Sequence, residues 1–300
     1  MRLSFLMYFL CLGSLLPAQD STFIWNGGNL CDEPGYQPAF QDSFFVLDTT
    51  RWARYYPHWQ TGKDDFFESR THDVQREPPF RELQVFTNEQ VTTGPEGLRL
   101  TAVDSACRWM GVEKPYVSGM IHTLPGWGFG RGKIAVTARL PKGRGLWPAI
   151  WLFGSNGYGG LHEIDIMEMG CHRTRRWFSN VYRCYEGPGC SESVVHRADD
   201  LSDGFHEFGL ELTPFFLIWT LDGVEVRRLS RLLYPDGEPV LTCEAAAGVY
   251  RVNPLFPGEA ASYSLIINLA VSNGAFGGPP NERSQFPAAM EVRAVQVWTE

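Results

Sequence analysis

The 300-residue chain lacks several features that mark other classes of protein. After the N-terminus, no segment has the apolar periodicity of a convincing amphipathic helix, which argues against a helical fold. The sequence has no basic run or basic-aromatic stripe, and its formal net charge is −8, so nucleic acid and anionic membranes are poor candidate partners. No C-x-x-C pair occurs, which argues against a cysteine zinc site.

The one long apolar run lies at the N-terminus. Residues 3–16 (LSFLMYFLCLGSLL) follow the positive charge of Arg2 and are too short to span a bilayer comfortably. A small residue, Ala18, then offers a cleavage site. We predict a signal peptide over residues 1–18 and a secreted protein without membrane attachment after cleavage; an uncleaved anchor is the alternative.

Cleavage of this segment also removes Cys11 and leaves six cysteines. An even number in an exported chain suits up to three disulfides. Their spacing does not determine the pairing, which stays open. The six are Cys31, Cys107, Cys171, Cys184, Cys190 and Cys243.

Short strand-like segments, punctuated by glycine and proline, make up most of the remaining sequence. Lys133–Leu140 alternates apolar and polar residues, and Leu265–Val271 is a continuous apolar run. Leu217–Arg228 has the pattern of a hairpin around Asp222-Gly223, and residues 291–298 (EVRAVQVW) are strand-like. Many short strands separated by turn signals predict an all-β sandwich or jelly roll.

The glycine-dense segment Gly126–Gly132 (GWGFGRG) does not indicate a nucleotide-binding loop. Such a loop follows a strand and opens a helix, whereas this segment precedes a predicted strand. We interpret it as a turn. No internal repeat, low-complexity tract or linker interrupts the chain, so we expect one domain over residues 19–300.

Three carboxylates lie within six residues of a strongly apolar segment, His162–Met169 (HEIDIMEM). Acidic residues are rarely buried without a partner or a task. On a regular strand Glu163 and Asp165 share a face and Glu168 points to the other. One extra residue, a β-bulge near Met167, returns Glu168 to the face of the other two.

Such a cluster suits glycoside hydrolysis. Two carboxyl groups about 5 to 5.5 Å apart give retention, one acting as nucleophile and the other as acid and then as base. A third acid between them, Asp165, shares hydrogen bonds or a proton with its neighbours. Like charges this close favour protonation of one member, which supplies the acid. A solvated acidic edge or a calcium site is the structural alternative.

The segment Glu163–Glu168 resembles the bulged E-x-D-x-x-E signature of glycoside hydrolase family 16, in particular its laminarinase-like (endo-β-1,3-glucanase) branch. The preceding Arg139–Leu152 (RLPKGRGLWPAIWL) is similar to that family's strand and W-P-A-x-W segment. Other matches follow in the family's order along essentially the whole mature chain, at 82–87, 116–121, 203–208, the Asp222-Gly223 turn and 266–270.

The resemblance implies a β-jelly-roll of two stacked antiparallel sheets with a concave glycan cleft. It implies Glu163 as nucleophile, Asp165 as assisting acid and Glu168 as general acid/base. The substrate implied is a β-1,3-glucan or a mixed β-1,3/1,4-glucan cut at internal linkages. Members that only recognise glucan have typically lost these glutamates, so their presence favours an enzyme over a non-catalytic recognition protein.

Several cleft-side positions differ from the family's usual residues. Met120 stands where Arg is common, Arg81 where Asn is usual, and Cys184 or Tyr185 where a sugar-facing His is common. Ser272–Gly278 (SNGAFGG) replaces a glycine-rich loop that carries Trp. These departures motivate a second hypothesis, action on another β-linked polysaccharide such as a galactan, or transglycosylation.

The family often binds a structural calcium ion through an acid in the last strand. Arg293 occupies that place here, so we expect no cofactor and no metal ligands. We also expect a monomer whose partner is the polysaccharide substrate.

Aromatic residues are frequent, at 14% of the chain with 10 tryptophans. Aromatic rings stack on the C–H faces of sugars, although core packing is the alternative for each of them. Trp147 and Trp151 are four residues apart in a strand and therefore share a face. The predicted substrate-binding residues are Trp147, Trp151, Trp127, Tyr158 and His206. His162 should point away from the neighbouring acids.

Overall fold

The structure is a computed structural model that describes residues 21–31, 35–54, 82–109, 112–123, 127–158, 160–184 and 189–300. The predicted signal peptide lies outside these ranges and stays a prediction, and Arg81 and Tyr185 also lie outside them. In the described part of the chain, no helix is long and apolar enough to cross a membrane.

Strands account for nearly all of the regular structure that the described residues form. The first eleven are β1 (Thr22–Trp25), β2 (Gly28–Asn29), β3 (Gln37–Asp42), β4 (Trp52–Ala53), β5 (Gln84–Phe86), β6 (Val91–Gly94), β7 (Gly97–Trp109), β8 (Val112–Ser118), β9 (Met120–Thr123), β10 (Gly132–Arg139) and β11 (Leu146–Ser155). The remainder are β12 (Leu161–Glu168), β13 (Arg176–Tyr182), β14 (Ser191–Arg197), β15 (His206–Leu212), β16 (Phe216–Leu221), β17 (Val224–Ser230), β18 (Leu232–Leu233), β19 (Glu244–Ala245), β20 (Gly248–Val252), β21 (Ser262–Val271) and β22 (Ala288–Thr299). Within the described ranges, helical structure is confined to 3-10 turns at Asn88–Gln90 and Ala275–Gly277.

Two large sheets stack face to face. One has seven strands in the order β14-β13-β12-β11-β21-β9-β4. The other has ten, in the order β17-β16-β15-β10-β22-β7-β8-β5, with β3 beside β22 and β6 beside β7. Neighbouring strands are antiparallel except β5 and β8, which are parallel. The predicted all-β sandwich is confirmed.

The main core lies between the two large sheets. It forms because apolar residues recur at every second position of the strands, which places them on one face. In β10 the predicted alternation is confirmed, since Ile134, Val136 and Ala138 are all buried in this core. In β11 the two faces are both apolar: Ile150 and Leu152 belong to the main core, and the alternate residues belong to a second cluster on the outer face.

The predicted hairpin and strands are also confirmed. Asp222 and Gly223 join β16 to β17 with φ values of 51° and 77°, the left-handed conformation that a two-residue hairpin turn of this sequence favours. The predicted apolar strand lies within β21 and the C-terminal one within β22. Gly132, which ends the glycine-dense segment, begins β10 at φ 147°, where a Cβ would lie 2.1 Å from the carbonyl oxygen of Trp298.

Two disulfides form among the six cysteines. Cys31 pairs with Cys243, and Cys184 pairs with Cys190 within the loop that joins β13 to β14. The remaining two, Cys107 and Cys171, are unpaired. The upper limit of three bridges expected from the sequence is therefore not reached among the described residues.

His162 is buried on the core side of β12, as predicted. Its Nδ1 lies 2.7 Å from the hydroxyl of Tyr263 and its Nε2 lies 3.1 Å from the carbonyl oxygen of Leu255. Burial lowers the pKa of His162 from 6.5 to about 4, partly opposed by the bond to Leu255. The folded chain therefore holds this imidazole neutral at a pH where an unfolded chain would protonate it.

The two disulfides should contribute unequally to stability. The Cys31–Cys243 bridge closes a sequence separation of 212 residues and the Cys184–Cys190 bridge one of 6. Chain-entropy arguments give the longer loop an advantage of about 3 kcal/mol in the free energy of unfolding. Urea unfolding of Cys31→Ser/Cys243→Ser beside Cys184→Ser/Cys190→Ser should show the larger loss in the first variant. Equal losses would mean that local packing, and not loop closure, sets the stabilisation.

His162 should make stability depend on pH. As the pH falls from 6.5 towards 4, His162 binds a proton in the unfolded chain but not in the folded chain. The free energy of unfolding therefore decreases over this window. His162→Gln removes the titration, and its stability should fall less steeply with pH across the window. His206→Gln, which removes a histidine from a near-surface position, is the control. A slope that stays the same after His162→Gln would contradict this assignment.

Candidate active site

A β-bulge interrupts β12 at the predicted place. Towards β11, Ile150 pairs with Met167 and Trp151 pairs with Asp165, which leaves Ile166 as the extra residue. The ladder to β13 is shifted over the same stretch, between Asp165 and Glu168. Ile166 and Met167 are consecutive, yet both are buried in the main core. Two successive inward side chains are what a bulge produces in a strand that otherwise alternates.

The bulge brings all three acids to one face of the sheet. Glu163, Asp165 and Glu168 lie opposite alternate residues of β11, which are Phe153, Trp151 and Ala149. This is the outer face of the seven-stranded sheet, turned away from the main core, and it is called the acid face below. The three side chains are 7%, 2% and 8% exposed. The predicted shared face is confirmed.

Asn180 of β13 links two of the acids. Its Nδ2 donates to Asp165 Oδ2 at 2.8 Å and to Glu168 Oε2 at 2.5 Å. Its Oδ1 accepts a hydrogen bond from the hydroxyl of Ser193 on β14, which orients the amide with its nitrogen towards the carboxylates. Because one nitrogen serves both oxygens, these two carboxylates lie within a few ångströms of each other.

Trp147, on the neighbouring strand β11, contacts Glu168, the third acid of the cluster. Its indole Nε1 donates to Glu168 Oε1 at 2.9 Å, so the two oxygens of Glu168 each accept a different N–H. The ring of Trp147 stacks on Phe276, with centroids 4.7 Å apart, and Phe276 meets Phe178 edge to face at 5.2 Å. Phe276 holds a left-handed backbone conformation, φ 49°, in the loop that replaces the family's glycine-rich one.

Trp151 shares the acid face with Trp147, as predicted. It lies beside Asp165 in the sheet and is 6% exposed. Its Nε1 donates to Asn268 Oδ1 of β21 at 2.8 Å. Around it lies an apolar cluster that includes Met120 and Phe153. Trp151 therefore belongs to the packed floor beside the acids, with little ring surface open.

Tyr182 follows Asn180 by two residues on β13 and lies on the same face. Burial raises the pKa of Tyr182 to about 12, and the nearby charges of Asp165, Glu168 and Glu163 add to this effect. The phenol therefore keeps its proton at neutral pH. It is a hydroxyl group in the electrostatic field of all three acids.

Three of the predicted substrate-binding residues lie elsewhere. His206 is on β15 of the ten-stranded sheet, with Nδ1 2.8 Å from Asp222 Oδ2. Trp127 packs against Phe40 with the two rings tilted at 53°, and it lies under the Arg51 guanidinium. Tyr158 is 63% exposed in the turn after β11, and its ring lies against Gly258. Trp147 and Trp151 lie beside the acids, whereas the contacts described for Trp127, Tyr158 and His206 are with other residues, and their substrate-binding role stays a prediction.

The positions that depart from the family pattern also have clear locations. Met120 is buried within the acid-face cluster. Cys184 is bonded to Cys190 and so offers no free side chain in place of a histidine. The guanidinium of Arg293 lies 3.8 Å from the ring centroid of Phe205. Among the described residues, no group of three or more His, Cys, Asp or Glu side chains is arranged to hold a metal ion.

The sequence interpretation missed Asn180, Tyr182 and Phe276. A signal for the first two was present, because Phe178, Asn180 and Tyr182 alternate along a strand that follows the acidic one, as members of the same face must. Nothing in the sequence indicated that Phe276 folds back on Trp147, since that contact depends on the conformation of a loop.

Comparison with known proteins agrees with this geometry. A family model for the glycosyl hydrolases family 16 matches residues 82–242. A glucan endo-1,3-beta-glucosidase from Cryptopygus antarcticus is 28% identical over 235 residues, which cover 73% of this chain and 81% of that protein. A beta-1,3-glucan-binding protein from Penaeus monodon is also 28% identical, over 185 residues that cover 54% of this chain and 49% of that protein.

Solved structures give the same fold. The laminarinase catalytic domain from Thermotoga maritima superposes with a TM-score of 0.68 at 26% identity, covering 88% of this chain and 98% of that one. The endo-1,3-beta-glucanase catalytic domain from Thermotoga petrophila has a TM-score of 0.69 at 25% identity, with the same coverage. The predicted jelly roll is confirmed. Since the family model also spans more than half of the sequence, the chain belongs to the glycosyl hydrolases family 16.

Proposed function

We propose that this protein hydrolyses internal β-1,3 linkages of a glucan, or of a mixed β-1,3/1,4-glucan, with retention of configuration. The observation that carries the proposal is the placement of Glu163, Asp165 and Glu168 on one face, with Asn180 bonded to two of them. The glucan is supported by the relatives, which include endo-1,3-beta-glucosidases.

In the first step, a carboxylate oxygen of Glu163 attacks the anomeric carbon. The bond from that carbon to the glycosidic oxygen breaks, and Glu168 gives its proton to the departing oxygen. In the second step, the ionised Glu168 takes a proton from water. The water oxygen attacks the anomeric carbon, whose bond to Glu163 breaks. Two inversions at one carbon give net retention.

The surrounding groups support both states of Glu168. N–H donors from Asn180 and Trp147 favour the ionised form that acts as base. The neighbouring carboxylates Glu163 and Asp165 favour the protonated form that acts as acid, because like charges repel at short range. An acid/base residue that must change state within each cycle needs influences of both signs.

Trp147 and Phe276 are the aromatic residues best placed to contact the sugar. Trp147 is half-buried, and its indole nitrogen is bonded to Glu168, so a sugar stacked on its open surface would lie next to the acid. Phe276 covers part of the same ring and so leaves less space for a sugar beside Trp147. This arrangement supports a substrate-binding role for Trp147 and a specificity role for the loop 272–278.

The setting of the enzyme is part of the proposal. Two disulfides fit an oxidising compartment, which supports secretion after removal of the predicted signal peptide. We propose that the mature chain, residues 19–300, is a single catalytic domain that acts as a monomer.

A non-catalytic glucan-recognition role is the alternative from a different class, since one relative is a glucan-binding protein. Both glutamates are retained here, and the two neighbouring strands supply N–H donors to Glu168 and Asp165. This arrangement supports an enzyme over a protein that only binds. The first experiment below separates the two roles.

Glu163→Ala should abolish the release of reducing ends from laminarin while the circular dichroism spectrum and melting temperature stay close to those of the wild type. The side chain lies on the acid face, outside the main core, so its loss removes the nucleophile and little packing. Glu244→Gln, an exposed glutamate, is the control and should keep full activity. Wild-type protein that binds laminarin but releases no reducing ends would favour the recognition role. Activity on agarose or carrageenan alone would favour a galactan.

Glu168→Ala should reduce hydrolysis of polymer far more than hydrolysis of an aryl glycoside with a good leaving group. Acid assistance matters less when the departing group is already stable as an anion. The ratio of the two rates, mutant over wild type, measures this difference. Equal losses on both substrates would contradict the role of Glu168 as acid.

Trp147→Phe keeps an aromatic ring but removes the N–H donor to Glu168. We expect kcat on laminarin to fall about tenfold, with a small change in KM, because a hydrogen bond to a charged group is lost from the acid/base residue. Trp298→Phe, in the other sheet, is the matched control. An increase in KM with kcat unchanged would show that Trp147 serves binding alone.

A further inference from the structure

A buried cation lies directly behind the acid cluster. Arg227 of β17 belongs to the ten-stranded sheet, and its side chain, 4% exposed, crosses the space between the sheets. Burying a charge is costly unless it is paired and hydrogen-bonded. The hydrogen bonds that Arg227 makes explain why an arginine is buried at this position.

Arg227 contacts the strand that faces the bulge. Its Nη1 donates to the carbonyl oxygen of Ser179 at 2.9 Å and to the hydroxyl of Ser179 at 3.0 Å. Ser179 lies between Phe178 and Asn180, the residues that pair with Glu168 and Asp165 on the two sides of the bulge. The guanidinium is therefore bonded to the backbone at the point where the β12–β13 ladder is out of step.

Trp219 of β16 donates a hydrogen bond to the bulged strand β12 itself. Its indole Nε1 donates to the backbone carbonyl oxygen of Asp165 at 3.0 Å. A bulge disrupts the ladder locally, and a buried carbonyl then needs a donor from outside the sheet. Trp219 and Arg227 are cross-strand partners, and the guanidinium carbon lies 4.3 Å from the ring centroid. One stacked pair thus supplies donors to both sides of the bulge.

We propose that Arg227 is a positioning residue: together with Trp219 it holds the bulged segment of β12 from behind, and its positive charge stabilises the carboxylate of Asp165. This inference rests on the proposed function and extends it to the opposite sheet. The positive charge and the fork of N–H donors have separate effects, one electrostatic and one geometric. Lysine can retain the first without the second.

Two carboxylates interact with the charge of Arg227, one at the surface and one in the acid cluster. Burial lowers the pKa of Arg227, while Glu192 and then Asp165 favour its charged form. Glu192 is bonded to Nη2 at 2.7 Å but is half exposed to solvent, so water screens it, whereas the acid cluster is buried. The other titratable groups on the packed strands are His196 and Arg197 of β14, Tyr182 and Arg176 of β13, and His162, Glu163, Asp165 and Glu168 of β12.

His196 does not share the role. Its Nε2 lies 2.8 Å from the Ser179 hydroxyl, and its ring lies against Trp177 with centroids 4.3 Å apart. Burial and the charge of Arg227 lower the pKa of His196 to about 4, so it is neutral at the pH where a glucanase would work. Arg227 is then the cation that lies behind the cluster from the opposite sheet.

The test uses Arg227→Met, Arg227→Lys and the matched control Arg228→Gln, which removes the neighbouring charge that pairs with Glu225. Carbon-13 NMR titration of the Glu and Asp side chains reads the acids directly, whether or not the protein turns over substrate. In Arg227→Met the titration midpoint of Asp165 should move upward, because the positive charge that favours its ionised form is lost. In Arg228→Gln the titration midpoints of the acids should stay in place.

Kinetics on laminarin read the geometric effect. Arg227→Lys should keep the midpoints near those of the wild type but lower kcat about tenfold with KM little changed, because the acids are slightly displaced. If Arg227→Met does not fold, Arg227→Lys carries the test alone. Wild-type kcat in the lysine variant, or unmoved midpoints in a folded methionine variant, would overturn the proposal. Shifted midpoints in a protein inactive on every glucan would instead retain the positioning effect and reject the proposed function.

Discussion

One extra residue in β12 is the feature on which the site depends. A strand of strict period two would put Glu163 and Asp165 on one face and send Glu168 into the core. The bulge at Ile166 reverses this for every residue after it. It buries Ile166 and Met167 in succession and returns Glu168 to the acid face. Glu163 and Glu168 are five residues apart, so they can share a face only because the alternation is broken between them.

The bulge also determines which polar groups must surround the acids. Carboxylates that are less than a tenth exposed are stable only when N–H or O–H groups replace the lost water. The acid face supplies these from both neighbouring strands: Trp147 of β11 and Asn180 of β13. Their donors stabilise negative charge, while the proximity of three acids opposes it. The balance between these two influences is what an acid/base residue requires.

The sequence predicted the sandwich, the hairpin at Asp222-Gly223 and the shared face of the acids, because all three follow from alternation and turn chemistry. Alternation says which residues share a face but not which sheet a strand joins. Alternation alone therefore does not reveal that His206 lies on β15 in the other sheet. Cys184 and Phe276 were unpredictable for a related reason, since a disulfide partner and a loop contact depend on tertiary structure.

Because β12 has one face on the acid side and one in the core, the acids can be influenced from both sides of the sheet. From the outer side, Phe276 of the loop 272–278 reaches the acids through the ring of Trp147, which is bonded to Glu168. From the core side, Trp219 of the ten-stranded sheet bonds to the backbone of Asp165. Interiors are close-packed and transmit small displacements. The geometry of the acids is therefore constrained from both sheets, and under the proposed function a change in the core would alter catalysis without a change in the cleft.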